Sequence, residues 1–397
     1  MTTIRSHNLL LLLLPLLLLS SSATPSSATS THNVVAYGAK PGGTTDSRQA
    51  FLSAWKNACA SARPATLYVP RGKFLLAGRI VFDGECRNSK MVVRIDGTLV
   101  APADYRVLKD GGYWVLFQNV NGLSVYGGVL DGRGSGLWDC KKAGHSCPFG
   151  ATSIGFLNSR NIVIDGLTSL NSQVFHIVIY GCNNVKLQGT KVSASGVSPN
   201  TDGIHVQMSS HVTILSSTIA TGDDCVSIGP GTSTLWIENM ACGPGHGISV
   251  GSLGKYSNEP GVQNVTVKSV SFTGTQNGAR IKSWGRPSNG FAKNIIFQHV
   301  TMNNVQNPIV IDQNYCPGNV RCPGKISGIK VSDVTYEDIH GSSATEVAVN
   351  FDCSPERPCT GIKLRNVRLS YKNQKAEASC KHAGGTVSGT VQPNSCL

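Results

Sequence analysis

The sequence predicts an all-β protein built as a solenoid of stacked parallel strands. A phrase of the form polar-apolar-polar-apolar-polar-(Gly/Ser/Asn) recurs with its first apolar residue at Leu123, Ile162, Val185, Val212, Leu235, Val265, Ile295, Ile329 and Ile362. The gaps between these marks are 39, 23, 27, 23, 30, 30, 34 and 33 residues, a loose period of the length that one coil of a solenoid takes. Within each phrase the alternation has the strand period of two, as in Ile162-Val163-Ile164, Val265-Thr266-Val267 and Ile362-Lys363-Leu364. Gly, Asn and Ser punctuate the phrases, as in Asn158-Ser159-Arg160-Asn161 and Cys182-Asn183-Asn184. No helical spacing persists across this stretch, which argues against a βαβ sheet. A propeller or sandwich has similar strand density, but propeller blades run to ~40 residues and repeat more strictly.

At the N-terminus, Arg5 and His7 precede an apolar run from Leu9 to Leu19, broken by Pro15 and followed by Ser21, Ser22 and Ala23. That run is shorter than the about 20 residues a membrane span takes, so residues 1–23 are expected to be a signal peptide. Residues 24–32 read as a short disordered leader, with only Ser, Thr, Ala and Pro from Thr24 to Thr31. The mature chain is then expected to be secreted and extracellular, with no membrane segment. Residues 33–397 need no division, because a solenoid grows by adding coils.

Ahead of the coils, Asp46 to Ala60 reads as a helix. Asp46 is the expected cap and Gln49 takes the capping-box position, while Ala50, Phe51, Ala54, Trp55 and Ala58 form one apolar stripe. Such a helix would close the open N-terminal end of the solenoid.

All 13 cysteines lie beyond the apolar run, and in an oxidising compartment they read as disulfides. Close spacing pairs Cys140 with Cys147, Cys316 with Cys322, Cys353 with Cys359 and Cys380 with Cys396. Cys182, inside a strand phrase, is taken as the leftover buried thiol, with Cys59–Cys86 and Cys225–Cys242 as the remaining bridges. A zinc site at Cys140, His145 and Cys147 fits poorly with secretion. Asn264-Val265-Thr266 is an acceptor sequence for N-glycosylation on the outside of a coil.

The formal net charge of +13 and pI near 9.2 suit nucleic acid or an acidic polysaccharide. The basic residues are scattered, no nucleic-acid motif is present and the chain is expected outside the cell. Nucleic acid is therefore excluded, and an anionic glycan is the expected partner.

Four short segments carry the chemistry: Asn200-Thr201-Asp202, Gly222-Asp223-Asp224, Gly245-His246-Gly247 and Arg280-Ile281-Lys282. From Asp202 to Asp223 is 21 residues and from Asp223 to His246 is 23, so successive coils would stack them into one patch. Clustered like charges destabilise a fold, so such a patch reads as an active site. Ideal alternation would send one of Asp223 and Asp224 into the core, and Gly222 suggests a strand edge or bulge that turns both outward. Coils stack about 4.8 Å apart, and carboxylates that close cannot all ionise easily, so one should have a raised pKa. A proton-holding acid beside ionised bases is what glycosidic hydrolysis requires. A calcium site needs six to eight oxygens and is opposed by the nearby cations, so no metal or cofactor is expected. His246, in register with the aspartates, is expected to hydrogen-bond a carboxylate or a sugar hydroxyl and tune the acid. Arg280 and Lys282 share a strand face, where Arg can grip a sugar carboxylate and Lys supply a point charge.

The segments Ser198-Pro199-Asn200-Thr201-Asp202-Gly203, Thr221-Gly222-Asp223-Asp224-Cys225, Cys242-Gly243-Pro244-Gly245-His246-Gly247 and Arg280-Ile281-Lys282 together resemble the hallmark set of plant polygalacturonases, glycoside hydrolase family 28. Val34-Val35-Ala36-Tyr37-Gly38-Ala39 and Asp312-Gln313-Asn314-Tyr315-Cys316 are similar too, and the likeness runs from about Asn33 to Cys396. The resemblance implies a right-handed parallel β-helix and an inverting hydrolase of the α-1,4 bonds of galacturonan, monomeric and at work in the cell wall. By motif, Asp223 would be the general acid, Asp202 and Asp224 would activate water, and His246 would support the acid. Asn200, Arg280, Lys282 and Tyr315 would shape substrate subsites. The family commonly bridges the cysteines at Cys225 and Cys242. Endo action is the reading taken. Its alternatives are an exo-acting relative, which differs in loops closing one cleft end, a calcium-dependent pectate lyase, and a non-catalytic pectin-binding wall protein.

Overall fold

Alternation buries every second residue of the recurring phrases, and the coils stack those residues into columns. One column runs Met91, Leu123, Ile162, Val185, Val212, Leu235, Val265 and Ile295, each paired with the next across parallel strands. None is more than 2% exposed. The computed structural model describes residues 1–3, 29–109 and 112–397. The apolar run of the expected signal peptide and most of the leader lie outside the described residues; the leader's end is not disordered as expected, because Ser30–Asn33 is a strand paired in parallel with Ala65, Thr66, Leu67 and Tyr68. Among the described residues, no helix is long and apolar enough to cross a membrane.

The strands form a parallel β-helix. A second parallel sheet, which carries the site, includes Ala151–Leu157, Ile177–Tyr180, Ile204–Gln207, Val226–Ile228, Ile248–Leu253, Asn277–Trp284 and Asn307–Tyr315 in spatial order. Its inward column runs Ile154, Ile177, Ile204, Val226, Ile248, Ala279 and Ile309.

One phrase was misaligned by the sequence pattern. Ile295 pairs with Val334, not Ile329. Ile329 is buried, but it lies just before the strand Lys330–Ser343, where its carbonyl accepts from Gln313 Nε2 at 2.8 Å. Ile329-Lys330-Val331 and Val334-Thr335-Tyr336 alternate equally well, so only strand pairing distinguishes them.

The N-terminal helix spans Arg48–Ala60, two residues shorter than expected. Ser47 is its cap and makes no side-chain capping bond. Gln49 is thus the second helical residue and cannot complete a capping box. Asp46 instead accepts from Arg48 N at 3.1 Å and Ala77 N at 3.0 Å, tying the helix start to the first coil. The expected stripe is the buried face. Trp55 packs on Phe82 at 5.2 Å, and Phe82, Phe117 and Phe156 continue the stack down the interior at 4.8 and 5.5 Å. Burying each such ring stabilises the fold by about 1.5–3 kcal/mol, which is why the open end needs a lid.

A second helix, Ser135–Lys142, was not foreseen; it rides on an excursion closed by Cys140–Cys147. That bond removes both thiolates a zinc ion would need. All six expected bridges are present and Cys182 is free and buried.

Candidate active site

Register brings the functional segments together. Ile204, Val226 and Ile248 pair across three successive strands, and Asp202, Asp224 and His246 each stand two residues earlier. The stacked set is therefore Asp202, Asp224 and His246. Asp223 sits one residue outside the column that the sequence spacing had assigned to it. Both aspartates lie in the bend before the strand Val226–Ile228 and line the cleft, so the backbone turn, and no bulge within the strand, spares either from the core. Gly222 makes the bend fit: a Cβ there would lie 2.2 Å from the Ser198 carbonyl oxygen. Gly247 has a φ of +86°, and a Cβ on it would meet Asn277 O at 2.1 Å, so the histidine turn also requires glycine.

Asp224 is 1% exposed and fully engaged. Its Oδ1 accepts from Arg280 Nη2 at 2.6 Å and Ser249 Oγ at 2.8 Å, and its Oδ2 accepts from Lys282 Nζ at 2.7 Å. Burial alone would raise its pKa, but Lys282 and Arg280 outweigh burial and hold the carboxyl down at about 2. Asp202 shows the opposite balance. Burial first, then the neighbouring Asp223 and Asp224, push its pKa well above the usual carboxylate range. The raised carboxyl expected of the cluster is thus Asp202. Asp223 projects furthest, its side chain 18% exposed, with Oδ1 accepting from Asp224 N at 2.8 Å and facing His246 Nδ1 at 3.0 Å.

The cleft above these residues has a volume of about 450 Å³ and is lined by Asn200, Asp202, Asp223, Asp224, Lys282 and Tyr315, with Phe175, His205, Gln207, Lys255 and Tyr256. Tyr315 packs edge-on against Trp284 at 5.3 Å and lies 5.1 Å from Lys282 Nζ. Arg280 is not among the residues lining the cleft. It is 8% exposed, sits behind Asp224, and commits Nε to Ser249 Oγ at 2.8 Å as well as Nη2 to Asp224. Two of its three guanidinium nitrogens are thus committed to holding Asp224 and Ser249.

Asp223, Asp224 and His246 bring potential metal-ligand atoms within 4.8 Å of one another. Both Asp224 oxygens are already neutralised by cations, so this set suits proton handling better than a hard cation wanting six to eight oxygens.

The sequence reading missed the cleft floor. His205 Nδ1 meets Ser227 Oγ at 2.8 Å, its Nε2 meets Gln207 Oε1 at 3.0 Å, and its ring lies 5.2 Å from Phe175. Burial lowers its pKa. The signal was present, because in Ile204-His205-Val206-Gln207 the polar residues share the face opposite the buried isoleucine and valine.

With this geometry in view, the sequence profile of Glycosyl hydrolases family 28 matches residues 59–391. The chain belongs to this family. It is 66% identical over 368 residues to a polygalacturonase of Prunus persica, covering 92% of this chain and 93% of that one. An exopolygalacturonase of Platanus acerifolia is 43% identical, covering 92% of this chain and 98% of that one. Among solved structures, the fold is shared with an endo-xylogalacturonan hydrolase from Aspergillus tubingensis at a TM-score of 0.76 and 23% identity, over 91% of this chain and all 100% of that one. It is shared also with a polygalacturonase from Erwinia carotovora at 0.69 and 22%, over 91% and 97%. As a family 28 glycoside hydrolase, the chain needs a proton donor and a water-activating base beside one sugar bond. The three carboxylates, held in three different electrostatic settings, can divide those tasks.

Proposed function

We propose that the chain hydrolyses the α-1,4-D-galacturonosyl bonds of de-esterified pectin, within the polymer and with inversion at the anomeric carbon. The observation that carries this reading is Asp223, which lines the cleft 3.0 Å from His246 and beside an Asp224 clamped by two cations. Asp223 donates its proton to the leaving glycosidic oxygen, and His246 fixes the orientation of that carboxyl. Asp224 stays ionised and, with Asp202, orients and deprotonates the attacking water. A raised pKa makes Asp202 the stronger proton acceptor once it is ionised.

Lys282 and Lys255 on the cleft wall and the net charge of +13 favour an anionic chain, with Asn200 and Tyr315 completing the subsites. The polygalacturonase relative from Prunus persica supports the same substrate. The expected signal peptide and the six disulfides support a secreted monomer in the cell wall.

Digesting polygalacturonate and sizing the early products tests the proposal. A spread of oligomers with rising reducing ends is expected. Galacturonate alone from the start would mean exo action. An unsaturated product absorbing in the ultraviolet would mean elimination, and no new reducing ends would mean a binding protein.

A further inference from the structure

Asn264-Val265-Thr266 is the one Asn-x-Ser/Thr sequence in the chain, and the fold presents it at a groove on the outer face of the first sheet. Asn264 is exposed and takes a left-handed turn with φ of 57°. Asn294 Nδ2 donates to its Oδ1 at 3.3 Å, which orients the amide. Its Nδ2, the atom that would carry a sugar, makes no hydrogen bond among the described residues.

Thr266 pairs in register with Trp236 on the neighbouring strand. Trp236 is 39% exposed. Its Nε1 donates to Glu238 Oε2 at 2.9 Å and Lys268 Nζ lies over the ring 6.0 Å from its centroid, so the ring is held in place with one face toward that ammonium and the other left for a sugar. Asn264, Thr266, Trp236 and Asn294 line one groove of about 470 Å³. A pyranose has an apolar face of C–H groups that covers an aromatic ring well, while its hydroxyls suit the flanking amides.

We propose that Asn264 carries an N-linked glycan whose first sugar rings lie along Trp236. In the transfer, Asn264 Nδ2 forms a bond to C1 of the first N-acetylglucosamine of a lipid-linked oligosaccharide. The bond from C1 to the lipid diphosphate oxygen breaks, the diphosphate departs with the electron pair, and the amide loses one proton. The proposal rests on the secretory route read from the N-terminal apolar run, and it is independent of the catalytic roles.

The test is the full chain expressed in plant cells, with both medium and cell extract analysed by intact mass before and after peptide-N-glycosidase. The expected result is a mass loss on treatment, located to the Asn264 peptide and abolished by Asn264→Gln. The glycosylated form should also unfold at a higher temperature than the treated form, and Trp236→Ala should remove that difference while leaving occupancy unchanged. Tryptophan fluorescence of the unsubstituted protein should change on deglycosylation, a readout needing no variant. Secreted chain with an unmodified Asn264 peptide would overturn the site, and unmodified chain confined to the cell extract would overturn the secretory route with it. A temperature difference that survives Trp236→Ala, with unchanged fluorescence, would overturn the place given to the indole.

Discussion

Asp224 Oδ1 lies 2.6 Å from Arg280 Nη2, although 56 residues separate the two in the chain. With Lys282 on the other oxygen, the contact makes a buried carboxylate tolerable on the cleft floor. It also leaves that carboxylate ionised beside Asp202, whose pKa is pushed the opposite way.

Lys282→Met should therefore injure both stability and the pH profile. Removing one partner of a buried ion pair costs about 3–5 kcal/mol. Asp224 is depressed to about 2, so the stability its ion pairs contribute is full above the ordinary carboxylate range and lost as pH falls through about 2. In the variant that loss begins at a higher pH, and the acid limb of kcat moves the same way. Thermal unfolding and turnover measured across acid pH check both shifts, and an unmoved acid limb would refute the clamp.

Asp202→Asn should abolish most activity yet stabilise the fold at neutral pH. The raised pKa of Asp202 means that the native state binds more protons than the unfolded chain between the ordinary carboxylate value and its own. Wild-type stability falls as pH rises through that window, and the neutral amide escapes the fall. Unfolding midpoints of the two proteins should converge below the ordinary carboxylate range and separate at neutral pH.

Asp223→Asn should lower kcat by roughly 10²–10⁴, the usual worth of a general acid, with thermal stability and substrate affinity nearly intact. The amide has the same shape and can still face His246. Reducing-sugar assays on polygalacturonate give the number, and a variant keeping about a tenth of wild-type turnover would withdraw Asp223 from the role of acid.

Hydrolysis should release β-anomeric reducing ends first. Carboxyl groups about 6.5–9.5 Å apart usually go with inversion and about 5–5.5 Å with retention; Asp223 and Asp224 bring carboxylate oxygens within 4.8 Å of each other, so the expectation of inversion follows from the family resemblance and from two candidate bases beside one acid, not from spacing. Proton NMR in the first minutes, before mutarotation, reads the outcome, and early α-anomer would remove Asp202 and Asp224 from water activation.

The sequence by itself determined the coiled architecture, because an interior that excludes water demands an apolar residue at every second strand position. It determined the helix stripe at Phe51 and Trp55 for the same reason, and the local bridges because cysteines six or seven residues apart have few other partners in reach. It placed Asp202, Asp223, Asp224 and His246 in one patch, since a repeat converts spacing into proximity. Tertiary structure alone decided the pairing within that patch. Residues 202, 224 and 246 are 22 apart, and this register stacks Asp224, not Asp223, between Asp202 and His246. It alone moved the coil mark from Ile329 to Val334, paired Arg280 with Asp224, and brought His205 to the cleft floor. Alternation cannot tell two equally patterned segments apart, and a carboxyl's ionisation depends on burial and on distances to every nearby charge. Those quantities exist only once the coils are stacked.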